Sequence, residues 1–211
     1  MRNGKAKWII GIDEAGRGPL AGPVSVGAVL VPKNFKFAAK IDKKGWPMTA
    51  RERGTALRDS KKLSAAQREA WAAYMARHSD INFAVSMVSA AVIDKVGIQK
   101  AVKMAVGRVL RKLKSIWLSD SQIEVLLDGL LHAPKYYRQR TIINGDNLVP
   151  VISAASVVAK VRRDRAMLRM HEKFPQYGFD LHKGYGTVLH YKCLRRHGLS
   201  EIHRKSYLRN L

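Results

Sequence analysis

The chain has 211 residues, of which 39 are Lys or Arg and 16 are Asp or Glu, so its formal net charge is +23. This length suits one domain, and a hydrophobic content of 46% can supply a core, which excludes wholesale disorder. The charge favours nucleic acid as the partner, with an anionic membrane second. The longest apolar stretch, residues 18–32, is too short and too often interrupted by Pro and Gly for a transmembrane helix.

The N-terminus and the cysteine content predict a cytoplasmic protein. The first residues are basic but lead into no apolar signal segment. Cys193 is the sole cysteine, so neither a disulfide nor a multi-cysteine zinc site can form within one chain. Both features are consistent with a reducing compartment.

The first third of the chain predicts a β-hairpin followed by a loop. Two apolar runs, Trp8–Ile12 and Pro23–Val31, have the length and composition of strands, and glycines between them indicate a tight turn. From Lys33 to Arg58 the sequence is basic and irregular, and no helical or strand period persists. We therefore expect a surface loop there.

The remainder alternates between helices and strands. The predicted elements are a helix at Ser64–Arg77 with Gln67 completing a capping box, a strand at Asn82–Val88, a helical stretch at Ala90–Leu113 broken near Gly97, a strand at Ile123–Leu127, a long helix at Ile152–Phe174 stopped by Pro175, and a short helix at Thr187–Arg196. This alternation indicates an α/β fold, and the early hairpin makes its sheet mixed rather than purely parallel.

Four carboxylates stand out in a chain with few acids. Asp13 and Glu14 follow one predicted strand, Asp128 follows another, and Asp146 lies in a glycine turn before the long helix. Acids at neighbouring strand ends repel one another unless they share protons or bind cations, and hard divalent ions prefer such oxygen ligands. Each acid alone is better explained as a turn or cap residue, so the combination carries the prediction of a metal site.

The glycines after the first strand do not indicate a dinucleotide site. The spacing of Gly16, Gly18 and Gly22 is wrong for that motif, and Pro19 opposes an immediately following helix. Exposed glycine amides beside a metal site could instead lie against a sugar-phosphate backbone. A plain hairpin turn explains the same residues equally well.

The segment GIDEAGRGPLAGP at residues 11–23 closely resembles the opening motif of the ribonuclease HII family. Further blocks resemble the family in the same order, namely DSKKLS at 59–64, LDG at 127–129, GD at 145–146, ISAASVVAK at 152–160, FPQYGF at 174–179, HKGY at 182–185 and HRKS at 203–206. The sequence departs from the family at Leu130, where Asn is common, at Asn144, where Lys is common, and at Gly186, where Pro is common.

The resemblance implies a ribonuclease H-like fold and a metal-binding tetrad. A catalytic domain would span residues 1–175, and a small helical appendage that contacts substrate would span 176–211. The resemblance assigns catalysis and the binding of two Mg²⁺ or Mn²⁺ ions to Asp13, Glu14, Asp128 and Asp146. One ion would lower the pKa of the attacking water and the other would stabilise the departing oxygen, which leaves 5′-phosphate and 3′-hydroxyl ends.

The resemblance also implies the substrate and the residues that recognise it. The family hydrolyses the RNA strand of RNA:DNA hybrids and cuts 5′ of single ribonucleotides embedded in duplex DNA, in replication and repair. The turn Gly16, Arg17 and Gly18 would read the ribose 2′-hydroxyl, and Tyr185 would sense the junction and stack on a sugar. Without the resemblance, packing explains Tyr185 equally well.

Other polar residues have weaker functional interpretations. Lys61, Lys62, Lys160 and Lys183 could contact phosphates, although each alone is better explained as a solvated charge. His190, Cys193 and His197 share a helix face, but three ligands on one helix rarely close a zinc tetrahedron, so packing is expected. Asp164 is predicted to be structural, paired with Arg162, Arg163 and Arg165.

Two alternatives to this interpretation remain. A basic nucleic-acid-binding protein without activity would carry the same charge, but it gains nothing from acids placed beside the polymer. The sister family, ribonuclease HIII, has an added N-terminal domain, whereas only twelve residues precede Asp13 here. No clear sliding-clamp motif is found at Ser206–Leu211, and we expect a monomer.

Overall fold

A mixed sheet of five strands forms the centre of the protein. The structure is a computed structural model that describes residues 6–48, 54, 56–57, 60–114 and 122–208. The strands of this sheet are β1 (Trp8–Ala15), β2 (Val24–Pro32), β5 (Asn82–Val88), β6 (Ile123–Asp128) and β7 (Arg138–Ile142). Two further short strands are β3 (Lys40–Ile41) and β4 (Pro47–Met48). The α-helices are α1 (Ala65–Arg77), α2 (Ala90–Val96), α3 (Ile98–Leu113), α4 (Gly145–Leu148), α5 (Pro150–Lys173), α6 (Phe179–His182) and α7 (Val188–His197).

The central sheet has the strand order β5-β2-β1-β6-β7. β1 and β2 form the predicted antiparallel hairpin, and β5 adds to β2 in the antiparallel sense. On the other side of β1, β6 and then β7 are parallel. The prediction of an α/β fold with a mixed sheet is therefore confirmed. Separately, β3 and β4 form a two-stranded ribbon.

Helices cover both faces of the sheet because its central strands are apolar on both sides. Along β2, Val26 and Leu30 pack on one face with α2 and α3, whereas Val29 and Val31 pack on the other with α1 and α5. Helix α5 lies directly on the hairpin at Gly27, where a Cβ atom would be 2.4 Å from the carbonyl oxygen of Ala155. This close approach holds the helix that follows Asp146 against β2 at Gly27, the residue paired with Asp13 of β1.

Several predicted helix boundaries are confirmed by their local contacts. Ser64 and Gln67 form the predicted capping box at the start of α1. The helical stretch after Ser89 breaks at Gly97, which has a φ of 80° and separates α2 from α3. Thr187 caps α7 by accepting a hydrogen bond from the backbone N–H of His190.

Three expectations about local structure are wrong in detail. The segment predicted as an irregular loop contains β3 and β4, and Ile41 is fully buried; residues 49–53, 55 and 58–59 lie outside the described part. Asp146 lies in the short helix α4 rather than in a turn, and α5 begins at Pro150, two residues before the predicted start. Strand β7 was not predicted, because its sequence, RQRTI, is polar, as suits an exposed edge.

The C-terminal residues pack against the β1–β2 turn rather than standing apart from it. Leu20 and Ala21 of that turn and Met167 of α5 share a buried cluster with C-terminal side chains. The C-terminal members of this cluster are Tyr177, Phe179, Leu194 and Leu208. Within the described ranges, no helix has both the length and the apolar character needed to cross a membrane.

Candidate active site

Three carboxylates meet where two parallel strands end. Asp13 lies on β1 and Asp128 ends β6, and the register of these strands pairs Ile12 with Leu127. Asp146 lies on α4, directly after β7, which is parallel to β6. One oxygen atom from each carboxylate lies within 4.8 Å of the other two. The sheet register thus brings together three of the four acids predicted from the sequence.

Burial and like charges act together on Asp13. Its residue is only 4% exposed, and burial is the main cause that raises the pKa of its carboxyl well above the usual range. The neighbouring carboxylates of Glu14 and Asp128 raise that pKa further. The Ser156 hydroxyl and the backbone N–H of Glu14 lower it, the latter donating to Asp13 Oδ1 at 2.7 Å. The cluster therefore concentrates negative charge that a cation would relieve.

Asp146 connects the cluster to its surroundings. Its backbone N–H donates to Asp128 Oδ1 at 3.3 Å, and its Oδ1 accepts from the amide of Asn147 at 3.1 Å. Lys61 Nζ lies 3.5 Å from Asp146 Oδ2 with its side chain 80% exposed. This lysine belongs to the basic block noted in the sequence, of which Asp59 lies outside the described residues. An exposed lysine ammonium group thus lies beside the carboxylates.

Glu14 has a different environment from the other three acids. One of its carboxylate oxygens accepts a hydrogen bond from Arg17 Nε, and the other, Oε2, is buried without a hydrogen-bond partner among the described residues. Three converging carboxylates with an unpartnered carboxylate oxygen beside them are the oxygen donors that hard divalent ions take. The residues present fit a divalent metal ion, and the role of Glu14 as a ligand stays a prediction.

The glycine turn, residues 16–23 between β1 and β2, is tightly packed at its first glycine and open at its second. Gly16 has a φ of 92°, and a Cβ atom there would lie 2.0 Å from Arg163 Nε. At Gly18 an added Cβ would meet no atom of the described residues within 4 Å. The turn therefore packs tightly against the protein at its first glycine and faces open space at the second. Its assignment to ribose recognition stays a prediction.

Tyr185 lies in a loop between α6 and α7 and is 43% exposed. Two cations lie beside its ring, with Lys160 Nζ 5.8 Å and Arg163 Cζ 5.6 Å from the centroid. Arg163 is the residue that contacts Gly16, so the tyrosine and the glycine turn share a neighbour. A half-exposed aromatic ring beside cations is suited to stacking on a sugar or base.

A chain of buried hydrogen bonds fixes the Tyr185 loop. The carbonyl of Tyr185 accepts from His190 Nδ1 at 2.9 Å, which leaves His190 Nε2 as an acceptor for the Nε2–H of His203 at 3.0 Å. His203 Nδ1 then accepts from the backbone N–H of Ser200 at 2.9 Å. His182 Nδ1 accepts from the N–H of Gly184 at 3.1 Å. The bonds accepted by His190 Nε2, His203 Nδ1 and His182 Nδ1 require neutral imidazoles, and burial lowers the pKa of His203 to about 4.

The same contacts account for the helix face that could resemble a zinc site. His190 is fully buried and hydrogen-bonded within this network, and His197 is exposed at the end of α7. Cys193 is a half-buried free thiol that packs against the C-terminal cluster. The three residues thus have packing and hydrogen-bonding roles.

Ion pairs on α5 differ from those predicted. Asp164 pairs with Lys160 Nζ at 2.8 Å and with Arg68 at 3.4 Å. Arg165 pairs instead with Glu69 on α1. The structural role predicted for Asp164 is confirmed, but its predicted partners are wrong, because adjacent helical residues do not face each other.

The other predicted phosphate contacts are also engaged within the protein. Lys62 Nζ donates to the side-chain oxygen of Asn147, and Lys183 Nζ donates to the carbonyl of Asp180. Leu130, one of the departures from the family pattern, is 85% exposed beside the cluster. Asn144, the other departure beside the acids, precedes α4 with a φ of 55°.

Two buried residues near the site are given no functional role by the sequence reasoning, which names Arg163 only as a partner of Asp164. Arg163 and Arg204 are both fully buried, and both bind the glycine turn. Arg204 lies within the HRKS block that resembles the ribonuclease HII family, which is the single signal that points to it. Neither arginine can be recognised from periodicity, because burial of a cation depends on distant partners.

Comparison with known proteins identifies the family. The ribonuclease HII family model matches residues 10–210. A ribonuclease HII of Nitrosospira multiformis is 38% identical over 98% of this chain and 92% of the relative, and one of Chlamydia pneumoniae is 40% identical over 94% and 82%. The chain belongs to the ribonuclease HII family. The resemblance noted in the sequence is therefore confirmed.

Ribonuclease HII membership also agrees with the fold. The structure of a PCNA:RNase HII complex from Archaeoglobus fulgidus superposes with a TM-score of 0.66 at 23% identity, covering 96% of this chain and 95% of that chain. As a ribonuclease HII, the protein is a divalent-metal-dependent endoribonuclease that acts on RNA:DNA hybrids. This enzyme class excludes the alternative of a basic binding protein without activity.

Proposed function

We propose that this protein cuts duplex DNA on the 5′ side of a single embedded ribonucleotide, besides hydrolysing the RNA strand of RNA:DNA hybrids. The products would carry 5′-phosphate and 3′-hydroxyl ends. The observation that carries the proposal is the convergence of Asp13, Asp128 and Asp146 within 4.8 Å, beside an open glycine turn in a chain of charge +23.

The four predicted acids have distinct roles in this proposal. Asp13, Asp128 and Asp146 would hold two divalent ions between them, and Glu14 would contribute its unpartnered Oε2. Bound ions of this kind would lower the pKa of a water molecule, so that hydroxide is available to attack phosphorus. They would also stabilise the leaving oxygen. Both Mg²⁺ and Mn²⁺ suit carboxylate oxygens. Lys61, at the rim, would attract the phosphate to the acids and offset their repulsion of it.

Substrate recognition would come from two elements beside the acids. The backbone of Gly16, Arg17 and Gly18 would contact the ribose 2′-hydroxyl, the group that distinguishes RNA from DNA. Tyr185 would stack on a sugar at the junction between RNA and DNA. Residues 176–211, which include Tyr185, would form the appendage that contacts substrate, and residues 1–175 would form the catalytic domain.

The first experiment uses a labelled DNA duplex with one ribonucleotide, incubated with Mg²⁺ or Mn²⁺. A metal-dependent cut 5′ of the ribonucleotide is the expected result, with an all-DNA duplex and a chelator as controls. Binding without cleavage in either metal, on this duplex and on a long RNA:DNA hybrid, would contradict the proposal. Cleavage rates at equal concentrations of Mg²⁺ and Mn²⁺ show which ion supports the faster reaction. Gel filtration tests the further proposal that the protein is a monomer.

Thermal unfolding tests the ligand set independently of cleavage. Mn²⁺ at about ten times its dissociation constant is expected to stabilise the wild type by about 1.4 kcal/mol, because only the folded chain offers the assembled site. Asp128→Asn should remove this shift. Glu201→Gln, which changes an exposed acid away from the cluster, should retain it. An equal shift in both variants would show that the ion binds elsewhere.

A further inference from the structure

The guanidinium of Arg204 is buried beneath the glycine turn and binds three of its carbonyl oxygens. Nη2 donates to Gly16 at 2.7 Å, Nη1 donates to Arg17 at 2.7 Å, and Nε donates to Gly22 at 3.0 Å. The planar guanidinium directs its donors along fixed directions, so it sets the relative positions of these carbonyls. One side chain thus spans the turn from its beginning to its end.

Arg163 of α5 binds the later part of the same turn. Nε donates to the carbonyl of Pro23 at 3.0 Å, and Nη2 donates to Ala21 at 3.3 Å and to Lys183 at 3.0 Å. Burial lowers the pKa of Arg163 to about 10, which leaves it charged at neutral pH. Because Lys183 lies two residues before Tyr185, Arg163 ties the glycine turn to the Tyr185 loop.

The segment that carries Arg204 is itself anchored to helix α2. Asp94 of α2 accepts from the backbone N–H groups of Lys205 and Ser206, each at 2.9 Å, and from the Ser206 hydroxyl at 2.5 Å. Tyr207 contributes a further contact, since its hydroxyl donates to the carbonyl of Arg17 at 2.9 Å. Residues 204–207 therefore form one anchored segment that binds the turn through Arg204 and Tyr207.

We propose that Arg204, supported by Arg163 and Tyr207, is a positioning residue that sets the discrimination between ribose and deoxyribose. Because Arg204 binds its carbonyls, the turn keeps its backbone in one conformation while Gly18 stays open to substrate. The inference rests on the proposed function, in which this turn reads the 2′-hydroxyl. Arg204 touches no substrate in this account and acts through the turn.

The test compares the binding of two duplexes by one enzyme. KM is measured for a duplex with one ribonucleotide, and Ki is measured for the all-DNA duplex of the same sequence as a competitor. Arg204→Lys keeps the charge but not the fork of donors, so KM should rise about tenfold while Ki stays within about twofold. Ki is insensitive because contacts to phosphates supply binding that does not depend on the sugar.

Two further variants guard against a misfolded Arg204→Lys protein. Tyr207→Phe removes the hydroxyl that donates to the carbonyl of Arg17 and leaves Arg204 in place. KM should therefore rise about threefold with Ki unchanged. Glu172→Gln changes an exposed side chain on α5, outside residues 204–207 and outside the loops that the two arginines bind, so both constants should match the wild type. If Arg204→Lys does not fold, Tyr207→Phe decides the question.

The outcomes separate this inference from the function on which it rests. If Arg204→Lys and Tyr207→Phe lower kcat alone, with KM and Ki unchanged, these residues only stabilise the fold and the inference is overturned. A wild type with equal KM and Ki does not read the ribose, which overturns the proposed recognition as well. The positioning role is supported if KM alone rises, more in Arg204→Lys than in Tyr207→Phe, while Glu172→Gln matches the wild type.

Discussion

The carboxylate cluster and the glycine turn lie side by side but are held by opposite means. In the cluster, Asp13, Asp128 and Asp146 are brought together by strand register despite their mutual repulsion. In the turn, the buried cations Arg163 and Arg204 bind backbone carbonyls, so charge and partner attract each other. The carboxylates of the first region repel one another, whereas in the second the arginines donate to backbone carbonyls, with Arg163 Nη1 buried without a partner among the described residues.

This difference shows which part of the site depends on added ions. The clustered carboxylates, of which Asp13 has a pKa raised well above its usual range by burial, are stabilised by any cation that binds them. The carbonyls of the turn already have donors within the protein, since Nε, Nη1 and Nη2 of Arg204 each donate to one of them. We therefore expect substitutions in the two regions to have opposite effects on stability.

The largest effect is expected when one carboxylate of the cluster is neutralised. Asp13→Asn should lower the cleavage rate by about 1,000-fold or more, because a proposed metal ligand is lost. Its unfolding temperature in chelator should equal or exceed that of the wild type, since repulsion is removed. Cleavage assays and calorimetry measure the two quantities. Duplex binding at low salt should persist, and a loss of both binding and stability would make Asp13 a structural residue.

The matching change in the turn should destabilise the protein. Arg163→Met fills similar space but leaves the carbonyls of Ala21, Pro23 and Lys183 without their donor. We expect the free energy of unfolding to fall by about 3 kcal/mol, measured by urea titration. Arg162→Met, an exposed neighbour on α5, is the control and should be close to neutral. Equal stability of the two variants would remove the contrast between the regions.

The histidine network makes stability depend on pH. Burial lowers the pKa values of His182, His190 and His203, the last to about 4, whereas an unfolded histidine titrates near 6.5. Between these values the unfolded chain binds more protons, so the free energy of unfolding falls as pH drops from about 6.5 to 4. His203→Gln should reduce this slope by up to about 1.4 kcal/mol per pH unit.

The control for this pH dependence is a histidine outside the network. His197 is exposed at the end of α7, so His197→Gln should keep the slope of the wild type. Urea titrations at several pH values between 5 and 7 give the comparison. A wild-type slope in His203→Gln would mean that this imidazole is charged in the folded protein.

The smallest effect is expected at an exposed ion pair. Glu69 on α1 pairs with Arg165 on α5, and both side chains are nearly half exposed. Glu69→Gln should change the free energy of unfolding by less than about 0.5 kcal/mol, since solvent screens such pairs. The change should vanish in high salt. A cost as large as that of Arg163→Met would show that burial does not separate the two kinds of contact.

The acids were predictable because strand periodicity places them. Short apolar runs ending at Asp13 and Asp128 indicate strands, and parallel strands end at one edge of a sheet. The same reasoning did not reveal that Glu14 turns toward Arg17, because that depends on the local course of the chain after the strand. Backbone pattern thus predicted the location of the site but not the direction of each side chain.

The support beneath the turn could not be predicted from the sequence. Arg204 is one cation among 39 Lys and Arg residues, and its partners lie 182 to 188 residues away. Strand β7 was missed for a related reason, because a polar edge strand lacks the apolar alternation that marks a strand. Both features are set by tertiary contacts, which override the local pattern.

The separation between Gly16 and Arg204 also has a consequence for biosynthesis. A ribosome adding about 5–20 residues per second needs roughly 10 to 40 s between these two positions, which are 188 residues apart. During that interval the hairpin can form from local contacts, but the carbonyls of its turn are still hydrated. The proposed ability to distinguish ribose is thus acquired late in synthesis, after the three clustered acids have been made.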